Sequence, residues 1–100
     1  MGEKKKIQEK VIQKACLEVL KKAGWYSFKV IAANKAGVPD IIACSPKGEF
    51  YAFEIKTLTG KTTKLQQYNL QKIRENKGKA FVIRSPKELE EIIKKEGAQF

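Results

Sequence analysis

The stretch GVPDIIACSPKGEFYAFEIKT, residues 37–57, decides how this chain folds. Its centre, SPKG, is typical of a three-residue hairpin loop, because Pro46 suits the second position of a type I turn and Gly48 supplies the left-handed residue that follows. The apolar runs on either side, residues 40–45 and 49–56, then become neighbouring antiparallel strands. We therefore expect a hairpin in the middle of the sequence.

The register of this hairpin brings two carboxylates together. Counting outward from a pairing of Ser45 with Glu49 places Asp40 opposite Glu54, and directly opposite side chains have Cβ atoms roughly 4.5–5.5 Å apart. Lys56 shares their face, because strand side chains alternate between the two faces. Adjacent carboxylates resist ionising together. Either a cation relieves that conflict or Lys56 pairs with one carboxylate at the sheet edge; the cation is the favoured interpretation.

The residue types restrict which cation this would be. The chain has no histidine, and its two cysteines, Cys16 and Cys44, form no CxxC motif. Histidine-dependent zinc sites are therefore excluded, and nothing suggests a disulfide framework or a cysteine-rich metal site. Carboxylate ligands without histidine or cysteine favour Mg²⁺, with Mn²⁺ as a substitute. Both cysteines lie among apolar residues and are interpreted as small core residues.

Helical and strand patterns alternate along the rest of the chain. The predicted elements are a helix over residues 3–23, a strand WYSFKVIA over residues 25–32, the two hairpin strands, a helix from Thr62 or Thr63 to about Asn76, a strand over residues 80–84 and a last helix ending near Glu96. Ser85 caps that last helix, with Pro86 at its first position and Glu88 completing a capping box. The order αβββαβα predicts an α/β fold, a sheet covered by helices on both faces.

Composition indicates the class of partner. With 21 Lys and Arg against 11 Asp and Glu, the formal net charge is +10. Such a field attracts polyanions, which favours nucleic acid over the alternative that a lysine-rich surface only aids solubility. The start MGEKKKIQEK lacks the apolar region of a signal peptide, and no apolar run approaches the about 18 residues of a membrane span. We expect a soluble, cytoplasmic protein with no membrane partner, and one domain over residues 1–100.

These motifs resemble a known nuclease signature. Pro39-Asp40 followed by Glu54-Ile55-Lys56 resembles the PD-(D/E)XK motif. The wider pattern GVPDIIAC, FYAFEIKTLTGKTTKLQQYN and GKAFVIRSPKELEEII is similar to the virus-type replication-repair nuclease (VRR-NUC) family, specifically its short stand-alone members. The resemblance runs from Glu9 to about Ile93. It implies a restriction-endonuclease-like αβββαβ core with a mixed four-stranded sheet, an added C-terminal helix, and hydrolysis of phosphodiester bonds in DNA.

The resemblance also implies roles for individual residues. Asp40 and Glu54 would hold Mg²⁺, with the Ile55 carbonyl as a further ligand. Lys56 would orient or activate the attacking water and stabilise charge on the phosphate. Glu9 matches a glutamate that the family carries on its first helix, and it projects into the core-facing arc of that helix. The alternative for Glu9 is a side chain that extends to solvent from the helix's first turns.

A glutamine at the start of the family's second helix is matched by Gln66. The segment from Thr63 to Gln66 is also a capping box. We expect the side chain to serve only one of the two roles, and the site is the favoured one. Gln13, on the first helix, is a weaker candidate and is readily an ordinary solvated residue.

Four lysines are candidates for contacting the DNA backbone: Lys29, Lys35, Lys61 and Lys64. Lys35 lies in the loop before the Pro39-Asp40 segment. Lys61 and Lys64 flank the start of the second helix, whose N-terminus can itself bind phosphate. Each of them taken alone is better interpreted as an ordinary surface lysine, and only their grouping at one end of the sheet favours a binding patch. With no aromatic reading surface in the sequence, we expect recognition of DNA structure, not of base sequence.

The resemblance thus implies a Mg²⁺-dependent endonuclease that acts on branched DNA. Stand-alone members resemble homodimers that cut four-way (Holliday) junctions symmetrically, without a small-molecule cofactor. Trp25, Tyr26 and Phe100 are possible dimer contacts, but each is equally a core or chain-end residue. The alternatives are a non-catalytic nucleic-acid-binding module, which gives no reason for the Asp40 and Glu54 pair, and a nuclease that cuts flaps or other DNA.

Overall fold

A computed structural model describes residues 2–96, with side chains from Glu9 onward. The elements are α1 (Gly2–Lys22), β1 (Tyr26–Lys29), β2 (Ile41–Cys44), β3 (Phe50–Ile55), α2 (Lys64–Glu75), β4 (Lys79–Ile83) and α3 (Pro86–Lys95). The strands form one sheet in the order β1-β2-β3-β4. β2 is antiparallel to β1 and β3, and β4 is parallel to β3. The predicted mixed four-stranded sheet with flanking helices is confirmed.

The hairpin between β2 and β3 has the predicted turn and register. The Ser45 N–H donates to the Glu49 carbonyl at 3.0 Å, and the Gly48 N–H donates to the Ser45 carbonyl at 2.8 Å. Gly48 adopts φ +83°, the left-handed conformation that glycine adopts without strain. Cys44 consequently lies opposite Phe50, as the turn residues predict.

The two faces of the sheet are covered unequally. On one face, α1 and α3 pack against the sheet, and the core there consists of Cys16, Leu20, Trp25, Ile41, Ala43, Tyr51, Phe53, Ile55, Ile83, Leu89 and Ile93. On the other face, α2 packs on β3 and β4 through Leu70, which contacts Ala52 and Ala80. Burying a leucine side chain contributes roughly 1.5–3 kcal/mol. Because α2 contacts β3 and β4 but neither β1 nor β2, the β1–β2 end of the α2 face is the less covered part of the sheet.

That uneven coverage corrects two expectations from the sequence. Cys44 is exposed, not a core residue, because it points to the α2 face where no helix lies over β1 and β2. The first strand is shorter than predicted, since β1 ends at Lys29 and Ile31 is 83% exposed. Apolar residue type alone predicts burial in both cases. Trp25, just before β1, is buried in the core, while Tyr26 is 72% exposed; Phe100 lies outside the described residues.

The caps of α2 and α3 follow the sequence with one difference. Thr63 caps α2 with a complete capping box. Ser85 caps α3 and accepts from the Glu88 N–H at 3.2 Å, as predicted. The Glu88 carboxylate, however, accepts from the N–H of Arg84 at 2.7 Å and not from that of the cap residue. None of the helices in the described part of the chain is long and apolar enough to cross a membrane.

Candidate active site

Asp40 and Glu54 lie at the open end of the β2–β3 hairpin. Extending the observed register by one pair beyond β2 places them opposite each other. Asp40 Oδ2 accepts a hydrogen bond from the Ile55 N–H at 2.7 Å. In the same register Ile55 would lie opposite Pro39, and the Asp40 carboxylate accepts the Ile55 N–H in place of the Pro39 carbonyl. Pro39 has no N–H to donate in return, so the ladder ends here. One of the two carboxylates is thereby fixed to the backbone that carries the other.

Glu54 is a buried carboxyl group whose ionisation is opposed by its surroundings. Its side chain is 2% exposed. Burial, the charge of Asp40 and, more weakly, that of Glu9 raise the pKa of Glu54 to about 8, although Lys56 acts in the opposite direction. Its Oε1 atom is buried and has no hydrogen-bond partner among the described residues. A buried acceptor without a hydrogen-bond partner lowers the stability of the folded protein, so the Glu54 oxygen at this end of the sheet is available to an additional partner.

Gln66 serves the helix cap and the carboxylate at the same time. Its Oε1 accepts from the Thr63 N–H at 2.9 Å, and the Gln66 N–H donates to Thr63 Oγ1 at 3.1 Å. Its Nε2 donates to Glu54 Oε2 at 3.2 Å. The expectation that one side chain could serve only one role is wrong, because the carboxamide has an acceptor and a donor at its end. The capping box thus orients the amide that holds Glu54.

The first helix brings Glu9 toward the pair without completing a metal cluster. Glu9 is half-buried on α1 and is close enough to act on the pKa of Glu54. No group of three or more His, Cys, Asp or Glu side chains arranged for a metal ion is found among the described residues. One turn further along α1, Gln13 has a buried oxygen that finds no hydrogen-bond partner within the described residues. The interpretation of Gln13 as a solvated residue is therefore wrong. Gln13 lies four residues after Glu9 and so on the same face of the helix, and this spacing is the feature of the sequence that could have indicated its burial.

Lys56 follows directly after β3, on the strand that carries Glu54. Its N–H donates to the Ile83 carbonyl at 3.0 Å, which continues the pairing with β4. The side chain is half-buried. A methyl group added at Gly60 would lie 3.6 Å from Lys56 Cδ, so the turn that follows the strand packs along the stem of the lysine. The charge of Lys56 is close enough to Glu54 to oppose the rise in the pKa of that carboxyl group.

The loop that carries Asp40 is docked on α2. Asn69 of α2 donates through Nδ2 to the Ala36 carbonyl at 3.1 Å. Gly37 adopts φ +77°, and a Cβ there would approach Leu65 Cγ to 2.7 Å. Only glycine suits that conformation and that approach. The helix that positions Gln66 therefore also fixes the approach to Asp40.

The four candidate lysines are all exposed and lie near this end of the sheet: Lys29, Lys35, Lys61 and Lys64. Lys29 ends β1, next to Val30, whose N–H donates to the Asp40 carbonyl at 2.8 Å. Lys35 belongs to the loop docked on α2. The other two flank the cap of α2, whose first turn contains no acidic residue. The four lysines thus belong to segments that adjoin this end of the sheet, although Lys29 pairs with Ile41 and so lies on the opposite face from the two carboxylates.

Comparisons with known proteins identify the family and the fold of the chain. Residues 8–90 match the family described as "Hjc: Archaeal holliday junction resolvase (hjc)". Among solved structures, a chain described as "VRR_NUC domain" superposes with a TM-score of 0.77 at 24% sequence identity, covering 87% of this chain and 95% of that chain. No curated protein matches. The structural likeness confirms the fold implied by the resemblance, and the family match confirms its relation to PD-(D/E)XK-type nucleases.

Proposed function

The chain belongs to the archaeal Holliday junction resolvase family, a family of nucleases, and from this premise we propose that it is a metal-dependent endonuclease that cuts four-way DNA junctions. The observation that carries the proposal is Glu54: a buried carboxyl group beside Asp40, with a pKa of about 8 and an oxygen that has no hydrogen-bond partner in the described part of the chain. A purely structural carboxylate would be expected to have its hydrogen bonds satisfied. A binding module has no use for such a group facing a polyanion.

The donor set fits a divalent cation. Asp40, Glu54 and the Ile55 carbonyl would hold it, and the unpartnered Glu54 oxygen would gain a partner. Oxygen donors of this kind favour Mg²⁺, with Mn²⁺ as a substitute. When bound, such an ion polarises the phosphate and makes a water molecule more acidic. Between them, Gln66 and the Ile55 N–H orient the two carboxylates, so the donor atoms are held before any ion arrives.

Lys56 and Glu9 complete the proposed active site. Lys56 follows directly after β3, two residues beyond Glu54 and on the same face. Its ammonium group can donate a hydrogen bond to the attacking water or to a phosphate oxygen as negative charge develops. Glu9 adds negative charge beside the cation. Neither role requires histidine, which the chain lacks. Lys29, Lys35, Lys61 and Lys64, with the N-terminus of α2, would contact backbone phosphates and position the DNA without reading its bases.

We also propose that the protein acts as a homodimer. A four-way junction has near two-fold symmetry, and two paired cuts require two related sites. The β1–β2 end of the α2 face supplies a suitable surface: Tyr26 and Phe28 are 72% and 47% exposed there, and Cys44 and Phe50 lie beside them. A groove of about 550 Å³ continues this surface toward α2. Contiguous apolar side chains of this kind are typical of interfaces.

The proposed activity is tested by cleavage of a labelled four-way junction, a linear duplex and a flap, with Mg²⁺, Mn²⁺ or EDTA. We expect paired, metal-dependent cuts in the junction. Lys56→Ala should slow them by about 10²–10³-fold, whereas Lys47→Ala, an exposed lysine at the opposite end of the hairpin, should leave the rate unchanged. Cuts mainly in the flap would support a nuclease activity but with flaps, not four-way junctions, as the substrate. Binding without any cutting would leave only a binding module.

The dimer is tested by sedimentation velocity over a range of concentrations. Phe28→Glu places a charge on the exposed β1–β2 surface and should give monomers. Val11→Glu, also exposed but on α1, should not. Thiol labelling adds a second readout, since Cys44 would react more slowly as the concentration rises, while Cys16, buried and with its pKa raised to about 12 by burial, stays unreactive. A monomeric wild type with or without junction DNA would overturn this part of the proposal.

A further inference from the structure

Arginine is rare in this chain and is placed selectively. Of the 21 basic residues, only Arg74 and Arg84 are arginines. The arginine side chain offers a planar fork of N–H donors, whereas lysine is a flexible point charge. Both arginines use their guanidinium groups on main-chain carbonyls. Arg74 binds the Ala80 carbonyl at the far end of α2, while Arg84 lies at the end of β4, next to the proposed active site.

Arg84 clamps the turn that follows Lys56. Its Nη1 donates to the Thr57 carbonyl and to the Gly60 carbonyl, both at 2.6 Å. The Leu58 carbonyl lies at 3.5 Å from the same nitrogen. The turn is closed by the Gly60 N–H, which donates to the Thr57 carbonyl at 3.2 Å. One guanidinium group therefore lies against three of the four carbonyls of the turn, those of Thr57, Leu58 and Gly60, although the Leu58 side chain is exposed.

The clamped turn connects the two halves of the site. On one side it lies beside the stem of Lys56, since a Cβ added at Gly60 would be in van der Waals contact with Lys56 Cδ at 3.6 Å. On the other side it leads within three residues to Thr63, the cap that orients Gln66 against Glu54. A shift of this turn would move the ammonium group of Lys56 and the amide of Gln66 together. Arg84 reaches the site only through these neighbours.

We propose that Arg84 is a positioning residue for cleavage, one that fixes the Lys56 ammonium group through the turn of residues 57–60. This inference rests on the proposed nuclease function. Lysine replaces it poorly, because both bonds come from Nη1, and the planar guanidinium group holds this nitrogen farther along the side chain than the freely rotating ammonium group of lysine would lie. A misplacement of about 1 Å in a catalytic group can lower the rate by about 10²-fold, so the expected effect is on turnover and not on DNA affinity.

The first test compares Arg84→Lys with Arg74→Lys, a control that makes the same change at an arginine away from the site. At saturating junction DNA, Arg84→Lys should lower the single-turnover rate by about 10–100-fold, with the dissociation constant for DNA and the circular dichroism spectrum unchanged. Arg74→Lys should leave the rate unchanged. Equal rates in both variants, or a loss of DNA affinity without a loss of rate, would overturn the proposal.

A double-mutant cycle tests whether Arg84 acts through Lys56. In a Lys56→Ala background, Arg84→Lys should slow cleavage by a clearly smaller factor than in the wild type, because the main group that it positions is gone and only the effect through Gln66 remains. Multiplicative losses would show that Arg84 acts separately. If Arg84→Lys fails to fold, Gly60→Ala disturbs the same turn with the arginine intact, since its methyl group would approach Thr57 Oγ1 to 3.1 Å and displace the residue whose carbonyl Arg84 binds. It too should reduce the rate at unchanged affinity.

A measurement without DNA separates this proposal from the nuclease function. The Lys56 ε-methylene signals, assigned by comparison with Lys56→Ala, should move toward those of free surface lysines in Arg84→Lys and remain in place in Arg74→Lys. If the wild type cuts no DNA but these signals respond as described, the nuclease function fails and the clamp stands. If the wild type cuts junctions and the Lys56 signals are the same in both variants, the clamp fails alone.

Discussion

β3 carries a cluster of charged groups at each end, and the two clusters are completed differently. At the end near the hairpin turn, Lys79 Nζ lies 2.7 Å from Glu96 Oε1 and 3.6 Å from Glu49 Oε2. The Tyr51 hydroxyl donates to the same Glu96 oxygen at 3.2 Å. Lys79 holds the pKa of Glu96 below its usual range, and Glu96 in turn raises that of Lys79. The charges at this end stabilise each other.

At the other end the charges oppose each other. Asp40 and burial raise the pKa of Glu54 to about 8, and one Glu54 oxygen has no partner among the described residues. The same strand thus has one end that adds to stability and one that subtracts from it. Departures from local satisfaction are expected where a protein binds or reacts. The difference separates the part of β3 that maintains the fold from the part that we assign to cleavage.

The largest predicted effect on cleavage comes from neutralising Glu54, at the end of β3 where the charges oppose each other. Glu54→Gln removes a proposed ligand, and a bound cation contributes several kcal/mol to catalysis, so junction cleavage should fall by about 10³-fold or more. Glu49→Gln makes the same change at the other end and should leave the rate unchanged. Single-turnover assays on both variants measure this. A Glu54→Gln enzyme of normal rate would mean that the two ends do not differ in function.

An intermediate effect separates the two roles of Gln66. Thr63→Ala removes only the cap hydroxyl and should lower stability by about 0.5–2 kcal/mol. Gln66→Ala should lower stability similarly and also slow cleavage by about 10–100-fold, as expected when a group that orients a ligand is lost. Urea unfolding and cleavage assays on the two variants distinguish the effects. Equal cleavage rates would show that the 3.2 Å contact with Glu54 has no catalytic consequence.

A third prediction concerns the stability of the metal-free protein against pH. Because the pKa of Glu54 rises from 4.5 to about 8 on folding, the folded state binds more protons than the unfolded state between these values. The free energy of unfolding contributed by this group should therefore fall as pH rises from about 4.5 to 8, by a few kcal/mol at most. Glu54→Gln should remove this fall. Urea unfolding in EDTA across this range measures it, and an unchanged pH profile in the variant would contradict it.

The smallest predicted effect has the opposite sign and belongs to the satisfied end. Glu96 has a lowered pKa in the folded protein, so its contribution is present above its unfolded pKa and is lost as pH falls through the folded one. Glu96→Gln should lower the free energy of unfolding by about 1 kcal/mol or less at neutral pH, because the pair is partly exposed. The difference should vanish in acid. A variant that is less stable by the same amount at every pH would show that packing, not charge, is lost.

Much of this arrangement can be predicted from particular residues. Pro46 and Gly48 determine the hairpin turn and hence the opposition of Asp40 and Glu54, because turn type sets register over a short distance. The caps Thr63 and Ser85 set the starts of two helices for the same local reason. The roles of the paired carboxylates came from resemblance to a family, and spacing alone left a simple pairing with Lys56 open.

The remaining features depend on distances between elements that are far apart in the sequence. Gln66 contacts Glu54 only because α2 returns across the sheet, so its two simultaneous roles could not be read from a capping motif. Cys44 alternates correctly with its neighbours, yet its exposure depends on where α2 lies. Arg84 looks like an ordinary basic residue after a strand until its guanidinium group is seen against the turn of residues 57–60.

The Ser45–Gly48 turn has a consequence for which changes of length the chain can accept. Exposed hairpin loops usually tolerate insertions, because lengthening a surface loop costs little entropy. Here the length of the loop sets the register of β3, the strand on which Glu54 lies. Adding one residue between Pro46 and Gly48 would either form a bulge or shift β3 by one position. A shift would turn Glu54 to the opposite face of the sheet from Asp40. The length of this loop is thus constrained by a site at the far end of the hairpin, in addition to the constraint that the left-handed conformation places on Gly48.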